Sequence, residues 1–204
     1  MSSNSTFPIA YDHWGTTTGV PAPSVGVRPT IGVRAGLSTQ KWVSVPVCSH
    51  AGQILARVID YQLRPVEASD SAALYNLHRA TMGTYIEDVY GTWNEDVQKA
   101  FHEAWMEHKR AQVVEVSGHL VGVVDIEWRE DDLYLSRIEI SPKLQNLGLG
   151  AEIIEGLIDL AASRERALAL DVFDVNPARH LYERLGFEPI GVSGRKVHMR
   201  RAHS

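Results

Sequence analysis

The chain has 204 residues, of which 44% are hydrophobic and 22% are charged, and its formal net charge is −5. This composition excludes a wholly disordered chain, and the acidic balance disfavours a nucleic-acid-binding module. The single cysteine, Cys48, excludes a disulfide framework within the chain and a cysteine-rich zinc site. No run approaches the ~18 apolar residues of a membrane span, and the N-terminus lacks a secretory pattern, so we expect a cytoplasmic protein.

Residues 1–60 differ in composition from the rest of the chain. Glycine, proline, serine and threonine fill 24 of these positions, and only six positions are charged. Such a segment buries little surface to offset its ordering entropy, and its prolines interrupt every apolar patch. We therefore expect a disordered or loosely docked extension over 1–60 and one α/β domain over 61–204.

The first half of that domain predicts one strand, two helices and a three-stranded meander. The first strand is Tyr61–Val66, and the first helix is Ala68–Ala80. Asn94 begins the second helix, whose predicted apolar face carries four residues: Val97, Phe101, Trp105 and His108. The meander follows as the strands Gln112–Ser117, His119–Trp128 and Leu133–Ser141.

The second half alternates helices with strands. An amphipathic helix follows Gly148, and its apolar face runs from Leu149 to Leu160. The remaining predicted elements are the strand Ala167–Phe173, the helix Pro177–Leu185, and the strands Phe187–Val192 and Lys196–Arg200. Because hairpins and crossovers both occur, we predict a mixed, mostly antiparallel sheet of about seven strands flanked by four helices.

A glycine-containing loop joins the strand at 133–141 directly to that amphipathic helix. Its backbone N–H groups, together with the positive end of the helix dipole, suit a phosphate group. The loop fits neither the Walker pattern nor the dinucleotide fingerprint, and a plain strand-to-helix turn is the alternative. However, Gln145-x-x-Gly148-x-Gly150 resembles the phosphate loop of the GNAT superfamily of N-acetyltransferases. Asn176, followed by the Leu-Tyr-Glu-x-Leu-Gly-Phe run at 181–187, resembles the second signature of that superfamily.

The resemblance covers about 61–204 and implies that acetyl-CoA lies between the strands at 133–141 and 167–173, with no metal. It implies that the loop amides hold the pyrophosphate and that the strand backbone pairs with the pantetheine. The implied cofactor-binding residues are Ile138, Ile140, Gln145, Asn146, Leu147, Gly148, Leu149, Gly150, Ala151, Asn176 and Arg179. Leu147 departs from the family, which usually has lysine or arginine there, so we expect weaker phosphate electrostatics, and Lys143 is the candidate to compensate.

Two residues are candidates for the chemistry. Tyr182 matches the family tyrosine near the CoA sulfur, and the alternative is a tyrosine packed in the core. A tyrosine pKa of about 10 exceeds a thiol pKa of about 8.5, so we expect it to stabilise the departing thiolate by a hydrogen bond. Pairing about the 130–132 turn places Asp125 opposite Arg137, and Glu139 on the same face is the candidate base. An ion pair with Arg137, or a water chain acting as base, is the alternative.

The acceptor side is expected between the first two helices. Tyr85, Glu87 and Trp93 combine aromatic surface with negative charge, which suits a cation, and Asp125 is a further candidate. The alternatives are a solvated acidic loop for 85–93 and a cross-strand salt bridge for Asp125. His102, His108, His119 and His198 lack metal-ligand spacing and are interpreted as structural or surface residues.

The resulting hypothesis is an acetyl-CoA-dependent N-acetyltransferase acting on a small cationic amine in a ternary complex. The alternatives are an acetyltransferase for protein N-termini or lysines, and a non-catalytic acyl-CoA-binding regulatory domain. The expected partners are a small-molecule amine and a second copy in a homodimer, with neither nucleic acid nor membrane.

Overall fold

The computed structural model describes residues 59–108 and 110–203, so the predicted extension lies almost wholly outside the described residues. Seven strands form one sheet: β1 (Gln62–Pro65), β2 (Gln112–Val116), β3 (His119–Trp128), β4 (Asp132–Ile140), β5 (Ala167–Phe173), β6 (Glu188–Ser193) and β7 (Lys196–Arg201). The helices are α1 (Ser71–Tyr90), α2 (Glu95–Met106), α3 (Leu149–Ala162) and α4 (Ala178–Arg184), with short 3₁₀ turns at Ala68–Asp70 and Pro142–Leu144.

The strand order is β1-β2-β3-β4-β5-β7-β6, and every neighbouring pair is antiparallel except β4 and β5. The parallel pair follows from the crossover through α3, and hairpins generate the antiparallel pairs β2–β3, β3–β4 and β6–β7. The other two antiparallel pairs, β1–β2 and β5–β7, are joined through longer connections that contain helices. The predicted mixed, mostly antiparallel sheet with four helices is confirmed for the described residues.

The sheet face beneath α3 carries the main apolar core. Leucines at alternate positions of β4 and β5 pack there against the apolar stripe of α3, as period-two alternation requires. Leu133 and Leu168 are almost fully buried, and burying each such side chain contributes roughly 1.5–3 kcal/mol. Ile59, two residues before the predicted start of the domain, also packs against this core.

The opposite face, beneath α1 and α2, holds buried polar groups beside apolar residues such as Leu74 and Val123. Asp125, Arg137 and Glu139 are all buried there. In α2 the buried residues are Gln98, His102 and Trp105, whereas Val97 and Phe101 are only half-buried and His108 is exposed. Of the four residues of the predicted apolar face only Trp105 is buried, because buried charges on the sheet favour polar partners from the helix above them.

The β3–β4 hairpin has the predicted register at its inner end. Asp125 lies opposite Arg137, and Val123 lies opposite Glu139, which confirms the pairing. A bulge after Asp125 shifts the register by one residue toward the turn. Gly122 permits the close approach of the strands, since a Cβ there would lie 2.7 Å from the Glu139 carbonyl oxygen.

Helix α1 is longer than predicted. It continues past Ala80 to Tyr90, so residues 85–90 are helical rather than part of a loop. Ile86 explains the extension, because it packs in a second apolar cluster with Trp93 and with Phe173 of β5. Gly91, with φ of +90°, ends the helix and donates its N–H to the Glu87 carbonyl at 2.9 Å.

Candidate active site

Strands β4 and β5 form a fork. Their ladder runs from the pair Asp132 and Ala167 to the pair Leu135 and Leu170 and then stops. Beyond it β4 continues to Ile140 along β3, and β5 continues along β7. The two parallel strands therefore separate at their carboxyl ends, which is where open α/β sheets bind their ligands.

The loop after β4 opens directly beside this fork. Gln145 fixes its start, because its side-chain amide donates to the Ile140 carbonyl at 2.8 Å. Two residues have left-handed backbone, Asn146 with φ of 61° and Gly148 with φ of 91°. Glycine adopts this conformation without strain, whereas a β-branched residue there would be strained.

The N-terminus of α3 presents unpaired amides toward this loop. The first helical hydrogen bond runs from the Glu152 N–H to the Gly148 carbonyl at 3.0 Å. The N–H groups of Leu149, Gly150 and Ala151 precede that bond, so they point out of the helix end. A Cβ on Gly150 would meet no atom within 4 Å, so the space beside these amides is open. The arrangement fits an anion such as a diphosphate.

The side chains around the loop supply little positive charge of their own. Leu147 is 55% exposed, and Lys143 is also exposed on the preceding 3₁₀ turn. Arg179 of α4 pairs with Glu183 at 2.9 Å on the surface of its own helix. Asn176 accepts the Ala178 N–H at 2.9 Å and so caps α4. The anion site consequently depends on backbone donors.

Tyr182 lies in the main core with 7% of its surface exposed. Its ring packs against Phe187, with centroids 5.8 Å apart. Burial raises the pKa of Tyr182 to about 12. The neutral phenol is therefore the stable form near neutral pH.

Glu139 is enclosed beneath α1. Its Oε1 lies 2.7 Å from Nδ1 of His78 and 3.7 Å from Nε of Arg137. Burial by itself raises the pKa of Glu139, but the neighbouring His78 and Arg137 lower it more, so the net change is downward. A carboxylate with a low pKa is a weak base, so this geometry favours the ion-pair alternative.

The four predicted acceptor residues do not converge. Asp125 is fully buried and accepts the Trp105 indole N–H at 2.8 Å. Trp93 is buried and donates to Glu95 at 3.0 Å. Tyr85 is half-buried and Glu87 is exposed on the second half of α1, so these two alone remain on an accessible surface.

Sequence reasoning missed two histidine–carboxylate pairs. His78 pairs with Glu139, and its place one turn after the buried Leu74 is the only sequence signal for it. His198 of β7 pairs with Asp171 of β5 at 2.5 Å. This contact requires β7 to insert between β5 and β6, which local patterns do not reveal.

Among the described residues, no group of three or more His, Cys, Asp or Glu side chains is arranged to hold a metal ion. Over the same residues, every helix is too short or too polar to cross a bilayer.

Comparison with solved structures shows the same fold in several N-acetyltransferases. The ribosomal-protein-S18-alanine N-acetyltransferase of Escherichia coli is 22% identical, with a TM-score of 0.52 over 71% of this chain and 94% of that chain. PaiA N-acetyltransferase of Thermoplasma acidophilum, in complex with coenzyme A, is 14% identical, with a TM-score of 0.56 over 70% and 98%. Mutant forms of the spermidine/spermine N-acetyltransferase SpeG of Vibrio cholerae are 21% identical, with a TM-score of 0.51 over 70% and 94%.

The amino-acid sequence also matches a family model. The model of the acetyltransferase (GNAT) family matches residues 72–187, which contain the fork, the glycine loop and Tyr182. The match covers more than half of the chain and agrees with the resemblance drawn from the two sequence signatures. The chain therefore belongs to the acetyltransferase (GNAT) family and is an acyltransferase.

Proposed function

We propose that this protein transfers an acetyl group from acetyl-CoA to a primary amine in a ternary complex. The observation that carries the proposal is the fork between β4 and β5, with the unpaired amides of α3 at its open end. A regulatory domain would need only the loop, whereas the buried Tyr182 in the same core gives the site a group suited to a departing thiolate.

The fork and the loop divide the binding of acetyl-CoA between them. We place the pantetheine along the backbone of Ile138 and Ile140, where β4 has left β5. The diphosphate belongs at the backbone amides of 145–151, where the open space beside Gly150 leaves room for it. Asn176 and Arg179 lie at the start of α4, and we assign them to the same ligand.

The protein contributes polarisation and hydrogen bonding to the chemistry. Bound acetyl-CoA supplies a thioester, whose carbonyl is polarised by a backbone N–H near Ile140 acting as an oxyanion donor. The Tyr182 hydroxyl donates a hydrogen bond to the sulfur as negative charge develops there. Because its pKa is raised to about 12, it stabilises the thiolate without giving up its own proton.

The acceptor must reach the fork as a neutral amine. An amine with a pKa of about 10.4 is roughly 0.04% neutral near pH 7, which costs about 4.6 kcal/mol. We propose a small cationic amine, because Glu87 and Tyr85 lie on the accessible second half of α1. The names of similar structures include both a spermidine/spermine and a ribosomal-protein N-acetyltransferase, so a protein amine is the second candidate.

The test follows thiol release by the full chain with acetyl-CoA and a panel of spermidine, a lysine ester and an alanine-initiated peptide. We expect amine-dependent turnover that falls at least tenfold in Tyr182→Phe, with CoA binding retained. Tyr61→Phe is the matched control, since burial also raises the pKa of Tyr61 to about 12 and this residue packs against the same core. Binding of CoA without turnover on any amine would instead support the regulatory domain.

A further inference from the structure

A cluster of three polar side chains lies beside the fork, on the face that α1 covers in part. Asp171 is the first residue of β5 beyond its last pair with β4, so it marks the point where the strands separate. His198 lies directly opposite Asp171 on β7. The Tyr134 phenol of β4 lies on the other side of Asp171. The pKa of Tyr134 is raised, mainly because the phenol is buried and also because the Asp171 carboxylate is close.

The histidine and the carboxylate are oriented for proton transfer. Nδ1 of His198 lies 2.5 Å from Oδ1 of Asp171, so the ring presents Nε2 on its far side. The Asp171 side chain is 8% exposed, whereas the His198 side chain is 36% exposed. Such a pair fixes the ring tautomer, and the imidazole is its more exposed partner.

Aromatic contacts lie at both ends of this cluster. Tyr90 at the end of α1 packs edge-on against Phe173, two residues beyond Asp171, with centroids 5.9 Å apart. At the opposite end Arg129 stacks on the Tyr134 ring at 3.4 Å and closes the cluster.

The other charged groups near His198 come from its own strand and from β6. Lys196 and Arg200 flank His198 at alternate positions of β7, and Glu188 of β6 lies opposite Arg200. Gly191 of β6 lies opposite His198 itself, and a Cβ there would lie 3.5 Å from its ring. Asp171 is therefore the acidic group in direct contact with the imidazole.

We propose that His198, oriented by Asp171, is the general base that accepts the proton of the acceptor amine; this inference rests on the proposed function. The neutral amine nitrogen bonds to the thioester carbon, and the carbon–sulfur bond breaks. The N–H proton passes to Nε2 of His198 and then to solvent. The departing thiolate, held by the Tyr182 hydroxyl, takes a proton from solvent. Because neighbouring strands lie ~5 Å apart, His198 is one strand away from the opening of the fork.

The test measures kcat and kcat/KM between pH 6 and 10 for the full chain, with the fastest amine of the panel. His198→Gln should lower kcat at least 100-fold, since general bases contribute about 10²–10⁴-fold, and it should remove the acid limb of the profile. Asp171→Asn should lower kcat about tenfold. CoA-dependent thermal stabilisation should be unchanged in both. His180→Gln is the control, because His180 pairs with Glu183 on the surface of α4.

A second measurement does not require a substitution. In the wild-type protein, NMR titration of the His198 ring should coincide with the acid limb of kcat/KM, because only the neutral ring accepts a proton. Wild-type turnover with a different titration midpoint, or an unchanged rate in His198→Gln, would overturn the inference alone. Loss of the acid limb in Glu139→Gln would also overturn it, in favour of Glu139. CoA binding with no turnover on any amine would overturn the proposed function and this inference together.

Discussion

Two histidine–carboxylate pairs on the same side of the sheet differ in what encloses them. Glu139 and His78 lie beneath α1 with side chains 3% and 8% exposed, and the Arg137 guanidinium lies 3.7 Å from Glu139. Asp171 and His198 lie at the fork with side chains 8% and 36% exposed. The first pair is closed to a substrate, whereas the second has one buried partner and one accessible partner.

The comparison teaches that pairing alone does not indicate catalysis. The buried contact between His78 and Glu139 joins α1 to β4. A carboxylate buried behind an accessible imidazole can orient a base that a substrate reaches. A third pair, His180 and Glu183 on α4, has side chains 77% and 39% exposed. It serves as an exposed reference for the other two pairs.

The largest effect is expected from breaking the buried pair. His78→Ala should reduce the free energy of unfolding by about 3–5 kcal/mol, because it leaves the Glu139 carboxylate buried without its nearest partner. Urea unfolding followed by circular dichroism measures this loss. A loss under 1 kcal/mol would show that the pair beneath α1 does not differ structurally from the pair at the fork.

The pH dependence of the free energy of unfolding tests the buried pair of Glu139 and His78 in a second way. The pKa of Glu139 is lower in the folded protein than in the unfolded chain, so its contribution is present above the unfolded value and is lost as pH falls through the folded one. We therefore expect unfolding midpoints in urea to fall below about pH 4.5, and to fall less steeply in Glu139→Gln than in the wild type. Equal slopes in the two proteins would contradict the role assigned to Glu139.

The pair at the fork should matter less for folding than for rate. Asp171→Asn should cost at most about 1 kcal/mol of stability, because His198 is partly exposed and solvent screens the pair. Urea unfolding and the turnover assay on one preparation compare the two effects. A stability loss as large as that of His78→Ala, with an unchanged rate, would make the fork pair structural as well.

The smallest effects are expected far from both pairs. His180→Gln should change neither the unfolding midpoint nor kcat, since its side chain is 77% exposed.

Deletion of residues 1–58, which retains Ile59 in the core, should likewise leave the melting temperature and CoA affinity nearly unchanged. A large loss of either property in the deletion would show that the N-terminal segment belongs to the domain.

Much of the fold could be predicted because local patterns agree with the packing. The limits of β3 and β5, the Asn94 cap and the pairing of Asp125 with Arg137 all follow from alternation and turn chemistry. The length of α1 could not be predicted, because Ile86 is helical through its contact with Trp93 and Phe173. Propensity near Gly83 gives no indication of that contact.

The candidate site likewise has parts that local sequence locates and parts that depend on tertiary packing. The glycine loop and Tyr182 are carried by contiguous motifs, so the sequence locates them. Alternation along β4 makes Glu139 a base candidate, but its partner His78 lies on α1 and reaches it only through tertiary packing. The contact between Asp171 and His198 depends on the strand order, in which β7 is the neighbour of β5.

The central claim is that the backbone amides of the α3 loop hold the diphosphate of CoA. Calorimetric titration of CoA into the full chain tests it, with Gly148→Val compared against Gly156→Val. Both positions leave a Cβ free of contacts within 4 Å, but only Gly148 has positive φ, so only that substitution strains the loop. We predict binding to the wild type and to Gly156→Val, and at least tenfold weaker binding to Gly148→Val. Equal affinity in all three proteins, or no binding to the wild type, would contradict the account.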